Sequence, residues 1–171
     1  GTVRYGADGA HGPQADAALR VPRAFIDMAR AGVLHGDPGR FELLYRVLLR
    51  LQHAPHLLSL RVDADVALLE RMRKAVAHDM HRMHAYVRFR RIADDGGGER
   101  FVAYYEPEHH IVEAAAPFFV NRYAGQDWAI LTPQASLLWL RARDHTCDRV
   151  ERDAGLTIGP GVTRDAAPDG D

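Results

Sequence analysis

The chain has 171 residues, 47% of them hydrophobic, which suits one globular domain with a real core and is too short for two. No apolar run approaches the ~20 residues of a membrane helix, and no charged-then-apolar leader opens the chain, so we expect a soluble, cytoplasmic protein with no membrane partner. The single cysteine, Cys147, excludes an internal disulfide and metal sites built on several thiolates, and we expect no cofactor.

The net charge of −1 hides an uneven distribution of charge along the chain. Residues 71–100 carry eight basic and four acidic side chains, whereas residues 144–171 carry three basic and seven acidic side chains. A cationic middle segment suits the binding of a polyanion, and it equally suits packing against the chain's own acidic tail. The composition leaves both interpretations open.

The N-terminal part predicts an arm followed by two helices. Residues 1–20 are rich in Gly, Ala and Asp without a sustained period, which predicts a flexible arm. A short helix is predicted over residues 21–34. Asp37-Pro38 predicts the start of a second helix, which should end near His53 because Pro55 disfavours helical geometry before it. Its predicted buried face is Phe41, Leu44, Tyr45, Leu48 and Leu51.

The central helix is predicted to begin after Asp63, which is a favourable N-cap residue. Its apolar residues recur at steps of three and four, as in an amphipathic helix. They are Val66, Leu69, Met72, Val76, Met80 and Met83. A second stripe with the same spacing consists of Arg71, Lys74, His78 and His81.

A β-hairpin is predicted directly after this helix. From Ala85 the apolar period changes to two, which is typical of a strand. One face of this predicted strand carries Val87 and Phe89, and the other carries Tyr86, Arg88 and Arg90. A glycine-rich turn over residues 93–99 connects it to a second strand at residues 101–105.

The remaining elements complete an α+β fold. A helix is predicted to open at Pro107 and Glu108, to kink or break its hydrogen bonding at Pro117 and to end at Gly125. Its predicted buried residues are Ile111, Ala115, Phe118 and Phe119. Short apolar runs at residues 128–131, 137–141 and 156–158 predict further strands, giving three to five antiparallel strands. We therefore predict N-terminal helices packed on a small antiparallel sheet with a β-β-α-β-β core. The predicted domain covers residues 21–162 and precedes an acidic tail at residues 163–171.

The histidines admit three interpretations. A metal site is one of them, with His78, His81, His109 and His110 as candidate ligands. Catalysis is the second, with acid–base candidates His81, His84, Glu106 and His109. In the third, the imidazoles cap helices, bond to carbonyls or pair with carboxylates.

A nucleic-acid-binding face is a further interpretation of the same region. Arginine, lysine, histidine and tyrosine side chains together offer phosphate contacts and stacking surfaces. The candidate residues are Arg71, Lys74, His78, His81, Tyr86, Arg88 and Arg90. If the last helix instead covers the hairpin face, the tyrosines become core residues.

Several strings of the sequence resemble a bacterial domain family of unknown function from DNA metabolism and DNA repair. They are VPRAFIDMAR, DPGRFELLYRVLLRL, HDMHRMHAYVRFR, YYEPEHHIVEAAAPFF, WAILTP and GPGV, and they cover roughly residues 21–162. Family members form the N-terminal part of UdgX-type uracil-DNA-binding proteins or accompany a radical-SAM protein resembling spore photoproduct lyase. This chain departs from them in a longer connection at residues 140–155. It also stops at Asp171, where relatives continue into a C-terminal region.

The resemblance implies a DNA-repair setting without a settled activity for the domain itself. It implies an accessory domain that binds single-stranded or damaged DNA, or that docks a uracil-DNA glycosylase-like or radical-SAM repair enzyme. The alternative is a metal- or His/Glu-dependent enzyme that acts on nucleic acid.

Overall fold

The computed structural model describes residues 21–93, 99–141 and 155–166. Within them the helices are α1 (Arg23–Gly32), α2 (Arg40–His53), α3 (Ala64–Tyr86) and α4 (Val112–Arg122). The strands are β1 (Arg90–Ala93), β2 (Glu99–Tyr104), β3 (Trp128–Leu131), β4 (Ala135–Leu140) and β5 (Gly155–Pro160). The predicted α+β class is confirmed. The predicted arm at residues 1–20, the glycines of the hairpin turn, most of the long 140–155 connection and the end of the acidic tail lie outside the described residues.

The five strands form one mixed sheet in the order β1-β2-β3-β4-β5. The predicted hairpin of β1 and β2 and the predicted β-β-α-β-β succession are both confirmed. Three of the four strand pairings are antiparallel, but β2 and β3 are parallel, so the expectation of a purely antiparallel sheet is wrong for this pair. The reason is α4, because a helical crossover returns the chain to the end of the sheet where β2 began.

The first of two apolar cores joins α1 and α2 to the N-terminal half of α3. Phe25, Val47 and Leu69 lie at its centre and are almost fully buried. α1 approaches α3 closely at Gly32, where an added Cβ would lie 3.1 Å from Leu69 Cδ1. The two N-terminal helices therefore pack mainly on α3, which carries them next to the sheet.

The second apolar core lies between the sheet, α4 and the C-terminal half of α3. Trp128 of β3 is fully buried there, with its ring centroid 6.2 Å from that of Phe119 and 6.1 Å from that of Phe89. Val76 and Met83 belong to the same core. The predicted apolar stripe of α3 is thus confirmed, and it serves both cores.

No described helix combines the length and the apolar character that a membrane crossing requires.

The start of α3 is fixed by Asp63, as predicted. Its carboxylate accepts hydrogen bonds from the backbone N–H groups of Asp65 and Val66, the usual N-cap arrangement. Arg50 of α2 also donates to this carboxylate at 3.0 Å. That hydrogen bond, followed by the backbone hydrogen bonds, lowers the pKa of Asp63 to about 2. The cap therefore also attaches α2 to α3.

Two predictions about α2 differ from the structure. The helix begins at Arg40, because Asp37 Oδ1 accepts the Gly39 N–H at 2.7 Å and forms a turn ahead of the helix. The predicted buried face is wrong in part. Leu44 and Leu51 are buried as predicted, and Leu48 is partly buried. Phe41 and Tyr45, however, are 56% and 62% exposed, and Leu43 and Val47 are buried in their place. Because α2 has apolar residues around most of its circumference, its own period does not decide which side meets α1 and α3.

The strand predicted from Ala85 is also wrong, because α3 continues to Tyr86 and β1 begins at Arg90. The backbone N–H of Val87 donates to the carbonyl oxygen of Met83 at 3.2 Å, and both side chains enter the second core. Residues four apart share one helix face. The short alternation in the sequence therefore fits a helix end as well as a strand.

α4 differs from its prediction at both ends. It starts at Val112 and not at Pro107, it runs continuously through Pro117, and it ends at Arg122 before Gly125. Residues 105–111 instead form an extended and bent segment between β2 and α4. This segment carries several of the candidate site residues.

Candidate functional site

The outer face of α3 carries four basic or imidazole side chains that are all exposed. They are Arg71, Lys74, His78 and His81, and we call them the α3 stripe. They lie on the opposite side of the helix from the buried side chains Leu69, Val76 and Met83. Within the part of the chain that the structure describes, none of the four has a hydrogen bond or an ion pair, whereas neighbouring Glu70 is held by Arg73 at 2.7 Å.

Tyr86, Arg88 and Arg90 do not share the face that the predicted strand would have given them. Tyr86 is the last residue of α3 and is 64% exposed. Arg88 donates from its guanidinium to the carbonyl oxygen of Ala85 at 2.7 Å, which satisfies a carbonyl at the helix end. Arg90 is the first residue of β1. The α3 stripe is therefore the part of the predicted binding face that stays together.

His84 is a packing residue. Its ring stacks on the ring of Phe118 of α4, with a centroid distance of 4.0 Å and an interplanar angle of 19°. Burial, and secondly the nearby His81, lowers the pKa of His84. Its Nε2 is buried and has no hydrogen-bond partner among the described residues. These surroundings favour the neutral imidazole as part of the interface between α3 and α4.

A buried polar cluster lies on the side of α3 that faces away from the stripe. Its central residue, Asp79, was not predicted from the sequence. Asp79 is only 2% exposed, and its Oδ2 accepts the backbone N–H of His109 at 2.9 Å. One signal was available in the sequence. Asp79 follows Val76 by three residues and precedes Met83 by four, so it had to lie on the apolar side of the helix.

Two imidazoles lie where the α1–α2 loop meets this cluster. His109 Nδ1 accepts the backbone N–H of Gly36 at 3.1 Å, and His35 Nδ1 accepts the N–H of Asp37 at 3.1 Å. The two rings lie 4.3 Å apart. Because each Nδ1 acts as an acceptor, each neutral ring carries its proton on Nε2. An added Cβ at Gly36 would lie 3.0 Å from the carbonyl oxygen of Glu108, so a larger residue would require one of the two segments to shift by a few tenths of an ångström.

Acid is expected to destabilise the fold through His35. Burial, and secondly the charge of His109, lowers the pKa of His35, so between the two pKa values the unfolded chain binds more protons. The stabilising contribution is complete above the ordinary histidine pKa of ~6.5 and is lost as the pH falls through the lower folded value. Urea unfolding on either side of that pH measures the loss.

His35→Asn is the matched control for this prediction. The Asn carbonyl oxygen can still accept the Asp37 N–H, but it does not titrate. The variant should lose less stability on acidification than the unmodified chain. Equal losses in the two proteins would assign the acid sensitivity to other groups.

Tyr105 belongs to the buried polar cluster, and the partly exposed pair Arg82–Glu108 lies at its edge. Arg82 and Glu108 form an ion pair at 2.5 Å between α3 and the segment before α4. Burial, and secondly the nearby carboxylate of Asp79, raises the pKa of Tyr105. Tyr105 OH and Asp79 Oδ1 are buried without a hydrogen-bond partner among the described residues. The hydrogen bonds of Asp79 and His109 attach the segment before α4 and the α1–α2 loop to α3.

The candidate metal and catalytic residues lie in separate environments. His78 and His81 belong to the exposed α3 stripe, His109 is buried against the α1–α2 loop, and Glu106 pairs with Arg164 at 3.4 Å. His110 is exposed, and its backbone N–H bonds to the carbonyl oxygen of Leu34. Within the described residues, no three His, Cys, Asp or Glu side chains converge into a group that could hold a metal ion.

Comparison with known proteins gives one match. A family model described as "Domain of unknown function (DUF4130)" matches residues 38–158, from the turn before α2 into β5. Neither the search of curated proteins nor the search of solved structures returned a match.

Proposed function

We propose that this chain, which belongs to the DUF4130 family of domains of unknown function, is a non-catalytic module that binds DNA through its α3 stripe. The observation that carries the proposal is a set of exposed cationic and imidazole side chains on one helix face that form no hydrogen bond or ion pair within the described chain. Such side chains can meet phosphates without first breaking an intramolecular ion pair.

The dimensions of the stripe suit a short length of nucleic acid backbone. Arg71 and His81 are ten residues apart in sequence, which corresponds to about 15 Å along a helix. At roughly 3.4 Å per phosphate along a stacked strand, that length faces about four phosphates. The stripe of four side chains is therefore about as long as a strand segment of four phosphates.

The family resemblance described above supports DNA over other polyanions. It comes from strings that include HDMHRMHAYVRFR and YYEPEHHIVEAAAPFF, which cover the C-terminal part of α3 and most of α4. We propose on this basis that the module acts in the cytoplasm of a bacterial cell in DNA repair. There it holds single-stranded or damaged DNA for a linked or neighbouring uracil-DNA glycosylase-like or radical-SAM enzyme.

The surroundings of the catalytic candidates favour a binding role over an enzymatic one. His84 is stacked on Phe118, and His109 is buried and accepts the backbone N–H of Gly36. No hydrogen bond, ion pair or ring contact between described residues joins Glu106 to any of the candidate histidines. An acid–base pair needs its members within reach of one substrate atom.

Salt and pH provide the test of the proposal. At about pH 7.5, the log affinity for a short single strand should fall against log salt with a slope of about −1.4 to −1.8, because Arg71 and Lys74 contribute ~0.7 to 0.9 each. At about pH 6, imidazoles beside phosphates take up protons, so binding should tighten and the slope should steepen to about −2.8 to −3.6. Fluorescence anisotropy at several salt concentrations measures both effects.

The variant His78→Gln/His81→Gln is the control. It should keep the slope of the unmodified protein at the higher pH and lose the steepening at the lower pH. A metal site on these histidines would give the opposite sign, since protonation competes with metal for the ligand lone pair. Binding that weakens on acidification, or that ignores salt, contradicts the proposal.

A further inference from the structure

An aromatic ring lies at the C-terminal end of the α3 stripe. Phe118 of α4 is 37% exposed, although it is a large apolar side chain, and one face of its ring stacks on His84. The ring of Phe118 also packs in an edge-to-face arrangement with the ring of Phe119, at an interplanar angle of 88°, and this contact holds it against the second core. Phe118 is therefore an oriented ring with part of its surface open to solvent.

The residues around Phe118 connect the α3 stripe to a further arginine on α4. His84 follows His81 by three residues, so the two are neighbours on α3, and His81 is close enough to lower the pKa of His84. On α4, the residues three and four positions after Phe118 are Asn121 and Arg122, both exposed. The path from the stripe over the ring to Arg122 contains no carboxylate among these residues.

We propose that the ligand of this face is single-stranded nucleic acid, with its phosphates on the α3 stripe and one base stacked on Phe118. This inference rests on the proposed DNA-binding function and specifies the form of the ligand. A cationic track beside an aromatic ring is how proteins bind single strands without reading their sequence. In a duplex the bases are paired and stacked inside, so their faces cannot reach the ring.

Tyr86, the aromatic residue singled out from the sequence, does not provide this platform. It is more exposed than Phe118 but follows His84 by two residues, which turns it about 200° around the helix axis. Its ring also makes no contact with another aromatic ring of the described chain. Tyr86 therefore serves as the matched comparison for Phe118.

The test compares three probes of equal length: an oligothymidylate, an abasic oligonucleotide with the same phosphates, and a duplex. The unmodified protein should bind the oligothymidylate most tightly. The variant Phe118→Leu keeps an apolar side chain and removes the π-face, so its affinity for oligothymidylate should fall by about 5-fold or more. Its salt slope and its affinity for the abasic probe should not change, whereas Phe118→Tyr should bind normally.

The outcomes separate this inference from the proposed function. The base platform is refuted if Phe118→Leu and the unmodified protein have the same affinity for oligothymidylate, or if the unmodified protein binds the duplex as tightly as the single strand. A retained salt slope would in that case still support phosphate binding by the stripe. If the unmodified protein binds none of the three probes, the proposed function fails first. A Tyr86→Leu variant that reproduces the loss seen for Phe118→Leu would also overturn the assignment, and thermal melting establishes that each variant is folded.

Discussion

The double variant Arg71→Glu/Lys74→Glu is expected to lose about 100-fold in affinity for a short single strand at ~50 mM salt. Each cation at that salt contributes roughly tenfold through counterion release, so losing two accounts for most of the effect, and the new carboxylates repel phosphate as well. The salt slope at about pH 7.5 should approach zero. Both substitutions should leave the fold intact, because both side chains are exposed and form no hydrogen bond or ion pair in the described chain. The hydrogen bond from Arg73, and to a smaller extent the charge of Lys74, lowers the pKa of Glu70, and Glu70 keeps its ion pair with Arg73 in the variant.

A charge-matched control separates this local effect from a change in net charge. Arg23 and Arg30 are exposed on α1, which packs on the buried side of α3. The variant Arg23→Glu/Arg30→Glu changes the net charge by the same amount and should lose only a few-fold in affinity through the weaker long-range field. Similar losses in the two double variants would mean that the α3 stripe is not the binding surface.

The variant Asp79→Ala is expected to lower the free energy of unfolding by about 2 to 3 kcal/mol. Asp79 is buried, and its carboxylate accepts the backbone N–H of His109. Without the acceptor, a buried donor remains unsatisfied, which costs about 1 to 3 kcal/mol, and the shortened side chain leaves a small void. The midpoint and slope of urea unfolding measure the loss.

Asp79→Asn is the conservative partner of that variant. Its carbonyl oxygen can still accept the His109 N–H, and its amide offers a donor to the neighbouring Tyr105 OH, which has no partner among the described residues. Its unfolding free energy should stay within about 1 kcal/mol of the unmodified value, with unchanged DNA affinity. Equal destabilisation by both substitutions would show that the carboxylate charge matters, and not the hydrogen bond to His109.

The α3 stripe was predictable from the sequence because one long helix determines it. The spacing of Arg71, Lys74, His78 and His81 opposite a continuous apolar stripe needs no knowledge of the tertiary structure, since helical geometry alone assigns the faces. Asp63 was predictable for the same reason, because an N-cap is a local interaction between a side chain and the next backbone N–H groups.

The buried polar cluster and the Phe118 ring were not predictable in the same way. His109, His35 and Asp79 come from three separate segments, and only the packing of those segments on α3 brings them together. Phe118 was predicted to be a buried residue of a helix starting at Pro107. The helix instead begins at Val112, and the ring of Phe118 lies beside His84 at the edge of the core.

Local periodicity, capping and turn residues were enough to predict the fold class, the succession of elements and the two opposite faces of α3. The packing of the whole chain was needed to establish the parallel pairing of β2 with β3, the buried side of α2 and the end of α3 at Tyr86. These features depend on which apolar surfaces are buried against each other. Such contacts join residues far apart in the chain, such as Phe101 and Trp128 on the paired strands β2 and β3. No local sequence pattern contains both residues.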